Sequence, residues 1–434
     1  MAAGGQIRFI VLDPGHYHAA LVQKTMYEQV SPLVCIYAPD GPEVQEYLKR
    51  IGDFNSRPTS PTDWQERAYV GSDYLSRMTS EKMGDVVVLS GNNRLKTVYI
   101  KSAVDAGLNV FSEKPMCIDA AGFRMLEDAF ASAEQSGVLL YDMMTERFNI
   151  FRILQKMLVL DESVFGELKK GSIQEPAVIQ QSVHHLFKYV SGMPIKRPKW
   201  YFDTKQQGEG LVDVTTHLVD LAMWTCFPEQ AIDHRKDVVV RAARRQPTMI
   251  TRGQYEKVTG ADDFPDYLKD RLDGDGVLPY YCNGQMVYSI KGIHVGLSVE
   301  WAFQAPEGAG DTQRSVFAGT RATVLLEQGA EQGYKPQLYV EPAVGVSMEA
   351  LGLALENAIV RAQGRYPGLS LKKVSNRWQV VAPDALQVGH EAHFKALTER
   401  YLQYVFDGKM PAWEVANMLT KYYITTRALR LANQ

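Results

Sequence analysis

The sequence predicts an α/β Rossmann domain with a doubly wound parallel sheet, followed by an α+β domain with a large, mainly antiparallel open sheet. Short apolar segments alternate with amphipathic helices in the first third of the chain, a pattern typical of βαβ units. Beyond residue 145, strand patterns follow one another closely. The chain has 434 residues, enough for two cores. We therefore expect domains at 1–145 and 146–434, with C-terminal helices able to pack back on the first domain.

The strands of the first domain are predicted from apolar runs that end at turn residues. These runs are residues 7–12, 33–37, 85–90, 109–112 and 138–142. Helices are predicted after the first strand, over about 95–106, where Gly107 supplies a C-terminal cap, and over about 120–136. Near-continuous apolar strands indicate a parallel sheet covered on both faces.

The second domain is predicted from shorter strand patterns. They fall at 178–183, 238–243, 278–282, 286–289, 296–303, 315–318, 322–327 and 337–340. Asn283-Gly284 predicts a two-residue hairpin between two of them. Residues 244–275 are expected to form an irregular excursion, and helices are predicted over about 148–160, 385–406 and 411–432.

The composition gives no reason to expect nucleic acid or a membrane as a partner. The net charge is −3, and no apolar stretch approaches the roughly 18 residues that a membrane span needs. The four cysteines are scattered, as expected of buried thiols in a reducing compartment. Residues 1–5 lack the features of a signal peptide, so we expect a cytoplasmic protein, or a periplasmic one if a native leader was removed.

The turn between the first strand and the first helix is where a Rossmann domain holds a dinucleotide. The expected GxGxxG falls on residues 13–18 and keeps only Gly15. Asp13 would repel phosphate unless its side chain turns away. His16 or His18 can donate to phosphate, or can instead cap or pack. No Arg or Lys follows the second strand, where Asp40 lies, and this favours NAD over NADP; Asp40 as a plain turn residue is the alternative.

Two further segments contain groups that can move a proton off an alcohol. Lys114 follows a predicted strand, where a partly desolvated ammonium with a lowered pKa can stabilise an alkoxide. Asp213 and His217 are one helical turn apart, and His217 has a side chain suited to general base catalysis. The alternative for the pair is an N-cap acid and a core histidine.

These segments together carry a resemblance. Glu113-Lys114-Pro115 after a strand, followed by residues 208–220 with Asp213 and His217, resembles the glucose–fructose oxidoreductase / inositol dehydrogenase family over nearly the whole chain. The resemblance implies a nicotinamide cofactor at the Rossmann strand ends. The altered glycine turn, Ser90-Gly91-Asn92-Asn93 and Glu209 depart from the family pattern and indicate a divergent branch that resembles sugar- or glycoside-acting members.

The resemblance also implies roles. Lys114 and His217 would handle the proton, and Asp213 would orient His217. The expected cofactor-binding residues are Gly15, His16, His18, Asp40, Ser90, Asn92, Asn93, Glu113 and Lys114. We expect homodimers or homotetramers, by analogy with the family.

Substrate contacts are expected from Asp213, His217, His184, His185 and Trp200. Alternation along a strand sends His184 and His185 to opposite faces, so they should not chelate one metal, and no metal is expected. Trp200 offers an aromatic platform for a sugar, with core packing as the alternative.

The sequence therefore predicts an NAD(P)-dependent oxidoreductase acting on a hydroxyl of a sugar, glycoside or cyclitol, with a keto-glycoside as the most specific product. One alternative is glycoside cleavage through transient oxidation and elimination by an internally recycled NAD. The other is a non-catalytic regulator that senses a dinucleotide or a sugar.

Overall fold

The chain folds as two compact units. The first comprises the chain up to Thr145 together with Gly389–Tyr422, and the second comprises Glu146–Val388 together with Tyr423–Gln434. This computed structural model describes residues 6–190 and 193–434. The prediction that the N-terminus is not a signal peptide concerns residues 1–5, which lie outside the described residues.

The first unit contains a six-stranded parallel sheet with the order β3-β2-β1-β4-β5-β6. Its strands are β1 (Phe9–Leu12), β2 (Leu33–Ala38), β3 (Gln65–Val70), β4 (Val86–Leu89), β5 (Asn109–Ser112) and β6 (Leu140–Asp142). Its helices are α1 (His18–Val22), α2 (Pro42–Ser56), α3 (Tyr74–Glu81), α4 (Asn93–Asp105) and α5 (Ala120–Ser136). Every residue of β1 and β4 is buried, as expected of central strands covered on both faces. The predicted Rossmann sheet is confirmed.

The second unit contains a nine-stranded sheet with the order β10-β11-β12-β7-β13-β14-β15-β17-β16. Its neighbours run antiparallel except for β7 and β12. The elements are α6 (Ile150–Val159), α7 (Glu162–Phe165), β7 (Val178–Phe187), β8 (Tyr189–Val190), β9 (Met193–Pro194), α8 (Thr204–Gln207), α9 (Thr215–Cys226), β10 (Val238–Ile250), α10 (Arg252–Thr259), α11 (Asp266–Lys269), β11 (Leu278–Ile290), β12 (Ile293–Gln304), β13 (Thr312–Ala318), β14 (Ala322–Gln328), β15 (Gln337–Pro342), α12 (Met348–Gln363), β16 (Ser370–Val374) and β17 (Arg377–Val381). The predicted, mainly antiparallel sheet is confirmed.

Two long helices end the chain, α13 (His390–Asp407) and α14 (Ala412–Ala432). Within the first unit, α13 packs against α1 and α14 carries Lys421, whose ammonium lies 2.7 Å from the buried carboxylate of Asp142 at the end of β6. Among the described residues, no helix combines the length and the apolar composition needed to cross a membrane.

The predicted hairpin at Asn283-Gly284 is wrong, because β11 runs through both residues as one strand. The Asn283 side chain accepts a hydrogen bond from the Trp301 backbone N–H (2.6 Å) and donates one to Thr248 Oγ1 (3.0 Å). A Cβ on Gly284 would lie 2.7 Å from the side chain of Leu211. Hydrogen bonding to neighbouring strands and close packing, not a turn, therefore account for this dipeptide.

The irregular excursion predicted at 244–275 is also partly wrong. Residues 244–250 continue β10, and α10 follows with a capping box in which Thr251 and Gln254 exchange hydrogen bonds. The arginine-rich part of β10 is half exposed, so it shows no apolar pattern that could reveal a strand.

Candidate active site

The turn between β1 and α1 is built around Asp13, which takes the left-handed backbone conformation (φ 47°) that usually falls to glycine. Its carboxylate accepts a hydrogen bond from the Tyr99 hydroxyl of α4 (2.8 Å). Burial raises the pKa of Asp13, and the Tyr99 hydrogen bond opposes this. Asp13, which stands at the first glycine position of the motif, is therefore hydrogen-bonded to α4 through Tyr99.

Backbone N–H groups of this turn donate within the protein. The Gly15 amide donates to Asp13 O (2.9 Å), the His16 amide to Ser90 O (3.1 Å) and the His18 amide to His16 Nδ1 (3.3 Å). These are groups that a glycine-rich turn would direct at a pyrophosphate. This turn thus differs in its hydrogen bonding, as well as in its residues, from the usual cradle.

The carboxyl end of β4 nevertheless fits a bound ligand. Ser90 is 1% exposed, and its buried Oγ has no hydrogen-bond partner among the described residues. A Cβ on Gly91 would lie 2.3 Å from Asp13 O and 2.9 Å from Gly15 N, so only glycine permits this close approach. Asn92 caps α4 by accepting from the Arg94 amide (3.0 Å), whereas Asp40 is exposed beyond β2.

The structure brings His16, His18 and Glu113 together, and we refer to them as the histidine–glutamate cluster. His18 Nδ1 lies 3.3 Å from Glu113 Oε1, and the His16 and His18 rings are 4.3 Å apart. The buried Lys96 of α4 lies between Glu113 and Asn93, with Nζ 3.6 Å from Glu113 Oε2 and 2.6 Å from Asn93 Oδ1.

The cluster is electrostatically unusual. Burial lowers the pKa of both His16 and His18 well below the usual range. The positive charges of Lys96 and Lys114 also lower the pKa of each imidazole. Both histidines are therefore neutral near pH 7. Lys114 itself is half-buried and lies two residues after the end of β5.

In the second unit, Asp213 lies in the turn before α9 and not within the helix as predicted, because α9 begins at Thr215. Asp213 is buried, and its Oδ2 accepts from Gln207 Nε2 (3.1 Å). Its charge, added to burial, raises the pKa values of Tyr201 and Tyr280. His217 is half-buried in the first turn of α9.

His184 and His185 both lie on β7, and both approach one carboxylate that was not predicted from the sequence. Asp311 Oδ2 lies 3.4 Å from His184 Nδ1, and Asp311 Oδ1 lies 2.9 Å from His185 Nδ1. Lys188 Nζ also lies 2.5 Å from Asp311. Burial would raise the pKa of Asp311, but hydrogen bonding to His184 and the charge of Lys188 outweigh burial and lower it. Asp311 directly precedes β13, and each of its two carboxylate oxygens contacts one of the two consecutive histidines of β7.

Trp200, the predicted aromatic platform, lies beside two buried aromatic residues. Trp200 is half-buried in a short 3₁₀ turn, while Tyr201 and Phe202 are core residues. The Arg197 guanidinium stacks on Tyr201 (4.4 Å) and lies 5.1 Å from the Trp301 ring, which is 4.8 Å from His184. The contact between Trp301 and His184 joins two strands that are distant in sequence, so no local pattern predicts it.

Three charged or titratable residues of these groups were missed from the sequence. Lys96 interrupts the buried face of α4 between Asn93 and Ile100, and that interruption is a usable signal. His390 lies 3.4 Å from His18, Nε2 to Nε2, and Asp311 lies beside β7, but both are far away in sequence. Only the tertiary fold reveals these two.

Comparison with known proteins identifies both parts of the chain. Residues 12–142 match the family described as "Oxidoreductase family, NAD-binding Rossmann fold", and residues 154–433 match the "Putative oxidoreductase C terminal domain". None of the curated proteins matches the chain.

Solved structures agree with these matches. A protein described as a "putative oxidoreductase" from Parabacteroides merdae ATCC 43184 is 50% identical, with a TM-score of 0.97 over 99% of this chain and 98% of that one. KijD10, a 3-ketoreductase from Actinomadura kijaniata crystallised with NADP and TDP-benzene, is 15% identical (TM-score 0.57; 98% and 97% covered). GenD2 from gentamicin A biosynthesis, crystallised with NAD, is 14% identical (TM-score 0.60; 100% and 96% covered). The last two share the fold.

The chain therefore belongs to the oxidoreductase family with an NAD-binding Rossmann domain, the glucose–fructose oxidoreductase / inositol dehydrogenase family that its motifs resemble.

Proposed function

We propose that this protein transfers hydride between a nicotinamide and a hydroxyl of a sugar, glycoside or cyclitol, with a keto-glycoside as the most specific product. The observation that carries the proposal is an NAD-binding Rossmann domain with the half-buried Lys114 just after β5 and the buried Ser90 Oγ, which has no hydrogen-bond partner among the described residues, just after β4. A dinucleotide-binding domain suits alcohol oxidation when a side chain that can exchange a proton, here Lys114, follows one of its strands.

The cofactor supplies one part of this chemistry, since a bound nicotinamide accepts or returns the hydride. Ser90, Asn93 and Lys114 would hold it at the carboxyl ends of β4 and β5. The exposed Asp40 after β2 suits a ribose hydroxyl better than an additional phosphate, which supports NAD over NADP.

The chain's own residues would handle the proton. A cationic Lys114 can stabilise the alkoxide that forms as the hydroxyl loses its proton. In the second unit, His217 is proposed as the base, and Asp213, which Gln207 holds by its Oδ2, as the group that orients it. His184, His185 and Trp200 are proposed to bind the substrate.

The sugar class is supported by the chemistry of the side chains and by two proteins with the same fold. KijD10 is a 3-ketoreductase, and GenD2 acts in gentamicin A biosynthesis. For this chain, the half-buried Trp200 offers an aromatic face, whereas Tyr201 and Trp301 beside Arg197 are buried.

The experiment is a panel of glucosides, galactosides, free hexoses and inositols, incubated with NAD or NADP, with NADH absorbance and the mass of the product as readouts. We expect a product two mass units lighter than its substrate, with stoichiometric NADH. Cleavage of a glycoside without added cofactor and without net NADH would instead show the elimination route. If no substrate of the panel yields an oxidised or a cleaved product, the result would favour the non-catalytic regulator. The backbone amides of the β1–α1 turn, which donate hydrogen bonds within the protein, support that alternative.

A further inference from the structure

The histidine–glutamate cluster contains more metal-ligand chemistry than alcohol oxidation at a nicotinamide requires. His16 and His18 come from the β1–α1 turn, and Glu113 follows β5. One donor atom from each side chain can be chosen so that all three lie within 4.8 Å of one another. Two imidazoles and a carboxylate form a donor set typical of zinc sites with an open position.

We propose that His16, His18 and Glu113 bind a divalent transition-metal cation, with Zn²⁺ as the best match for two imidazoles and one carboxylate. The proposal departs from our sequence-based expectation of no metal, which considered only His184 and His185 as ligands. The metal proposal does not depend on which substrate the protein oxidises.

The spacing between His18 and Glu113 is the first argument. Their nearest atoms, Nδ1 and Oε1, are 3.3 Å apart. A charge-assisted hydrogen bond would be about 2.7–2.9 Å long. Two ligands bonded to one tetrahedral zinc at about 2.0–2.1 Å are about 3.3 Å from each other. The observed spacing therefore matches two ligands sharing an ion better than it matches an ion pair.

The surroundings of the ligands provide the second argument. Metal-bound histidines usually donate their other ring N–H to a neighbouring group, and metal-bound carboxylates are themselves hydrogen-bonded. His18 Nε2 faces His390 Nε2 at 3.4 Å, and its ring packs 4.7 Å from Phe394. The second oxygen of Glu113 faces Lys96 Nζ at 3.6 Å. On the side away from the proposed ion, His18 thus has an imidazole as its polar neighbour and Glu113 has an ammonium.

The nearby charges determine what completes the site. Lys96 Nζ lies 3.6 Å from Glu113 Oε2, and this cation beside the proposed ion favours an anion as the remaining ligand. We infer that the open position is filled by hydroxide or by an oxyanion such as a phosphate or carboxylate oxygen.

The test is metal analysis of protein prepared with a streptavidin-binding tag, because a polyhistidine tag would itself bind zinc. After treatment with chelator and gel filtration, the protein is titrated with Zn²⁺ against a chromophoric chelator, and zinc content is measured by plasma mass spectrometry. We expect one equivalent per chain. H18Q and E113Q should each weaken zinc affinity at least about 100-fold, since loss of outer partners alone costs about 10–100-fold.

H294Q is the matched control, because His294 lies in the second unit, where its Nδ1 approaches Lys170 O. It should leave zinc affinity unchanged. Zinc binding that H18Q, E113Q and a double H16Q/H18Q variant all leave intact would overturn the proposal, as would wild-type protein that takes up no zinc at micromolar concentration. If a variant fails to fold, X-ray absorption on zinc-loaded wild type decides: imidazole scattering at about 2.0–2.1 Å supports the site and its absence overturns it. None of these readouts depends on turnover, so failure of the metal site leaves the proposed oxidoreductase function standing.

Discussion

The carboxylate of Asp220 accepts two hydrogen bonds from the guanidinium of Arg147, at 2.7 and 2.6 Å, and both side chains are buried. Asp220 lies one helical turn after His217 on α9. The ion pair therefore ties the helix that carries the proposed base to the segment that precedes α6.

We predict that Asp220→Ala lowers the free energy of unfolding by about 3–5 kcal/mol, because it leaves the Arg147 charge buried without its carboxylate. The double change Arg147→Met with Asp220→Leu should recover most of the loss. Lys236→Ala breaks an exposed pair with Asp233 and should change stability by less than about 1 kcal/mol. Urea titrations of the four proteins measure this, and equal effects of Asp220→Ala and Lys236→Ala would refute the account.

The base assignment predicts that His217→Ala lowers kcat by about 10²–10⁴-fold on the substrate that the panel identifies, the usual range for general acid–base catalysis. Cofactor affinity should be unchanged. His294→Ala serves as the control and should keep full activity. Turnover of His217→Ala within a few-fold of wild type would remove His217 from the mechanism.

Lys114→Ala separates the enzyme from the sensor. If Lys114 stabilises an alkoxide, the variant should still bind the sugar substrate but lose turnover by at least about 10²-fold. Steady-state kinetics and ligand titration by fluorescence measure the two properties side by side. Normal binding with no loss of any turnover would support the regulator instead.

The close approach at Gly91 predicts a cost for any side chain there. Gly91→Ala should destabilise the protein by about 1–3 kcal/mol or more, because its Cβ would meet the backbone of Asp13 and Gly15. Gly52→Ala is the matched control: Gly52 is exposed within α2, and an added Cβ would meet no described atom within 4 Å, so alanine should stabilise by up to about 1 kcal/mol. Thermal melts of both variants decide, and a neutral Gly91→Ala would contradict the described turn.

Asp311 predicts a pH dependence of stability. Its pKa is lowered in the folded protein, so its contribution is fully present above the unfolded value of about 3.9, begins to decrease below that value and is lost only as the pH passes the lower folded pKa. Asp311→Asn should therefore be less stable than wild type at pH 6, and the difference should shrink toward pH 3. Urea titrations at a series of pH values measure it. A difference that stays constant with pH would show that the carboxylate charge is not responsible.

The sequence predicted the sheet of the first unit well because β1 and β4 are buried on both faces and read as unbroken apolar runs. It missed β3, whose residues are mostly exposed or half-buried at the sheet edge and carry polar side chains. The hairpin at Asn283 failed for a different reason: local turn propensity was outweighed by hydrogen bonds from neighbouring strands.

In the candidate site, too, local sequence patterns predicted some residues, whereas tertiary contacts alone place the others. His16, His18, Glu113 and Lys114 were found because they follow strands whose ends meet at one edge of a parallel sheet. His390 and Asp311 come from distant segments, so no pattern in the sequence could place them beside His18 or His185. Asp213 was predicted on the helix with His217, but the helix starts two residues after it.

The measurement that tests the central claim most directly is the nucleotide content of the purified protein. The protein is denatured, the released material is analysed by absorbance and mass spectrometry, and nucleotide-free protein is titrated with NAD and NADP. We predict that NAD(H) is released or that NAD binds tightly, with NADP the weaker ligand. No release and no binding of either dinucleotide would mean that Asp13 and His18 have closed the phosphate site, and it would contradict the oxidoreductase mechanism.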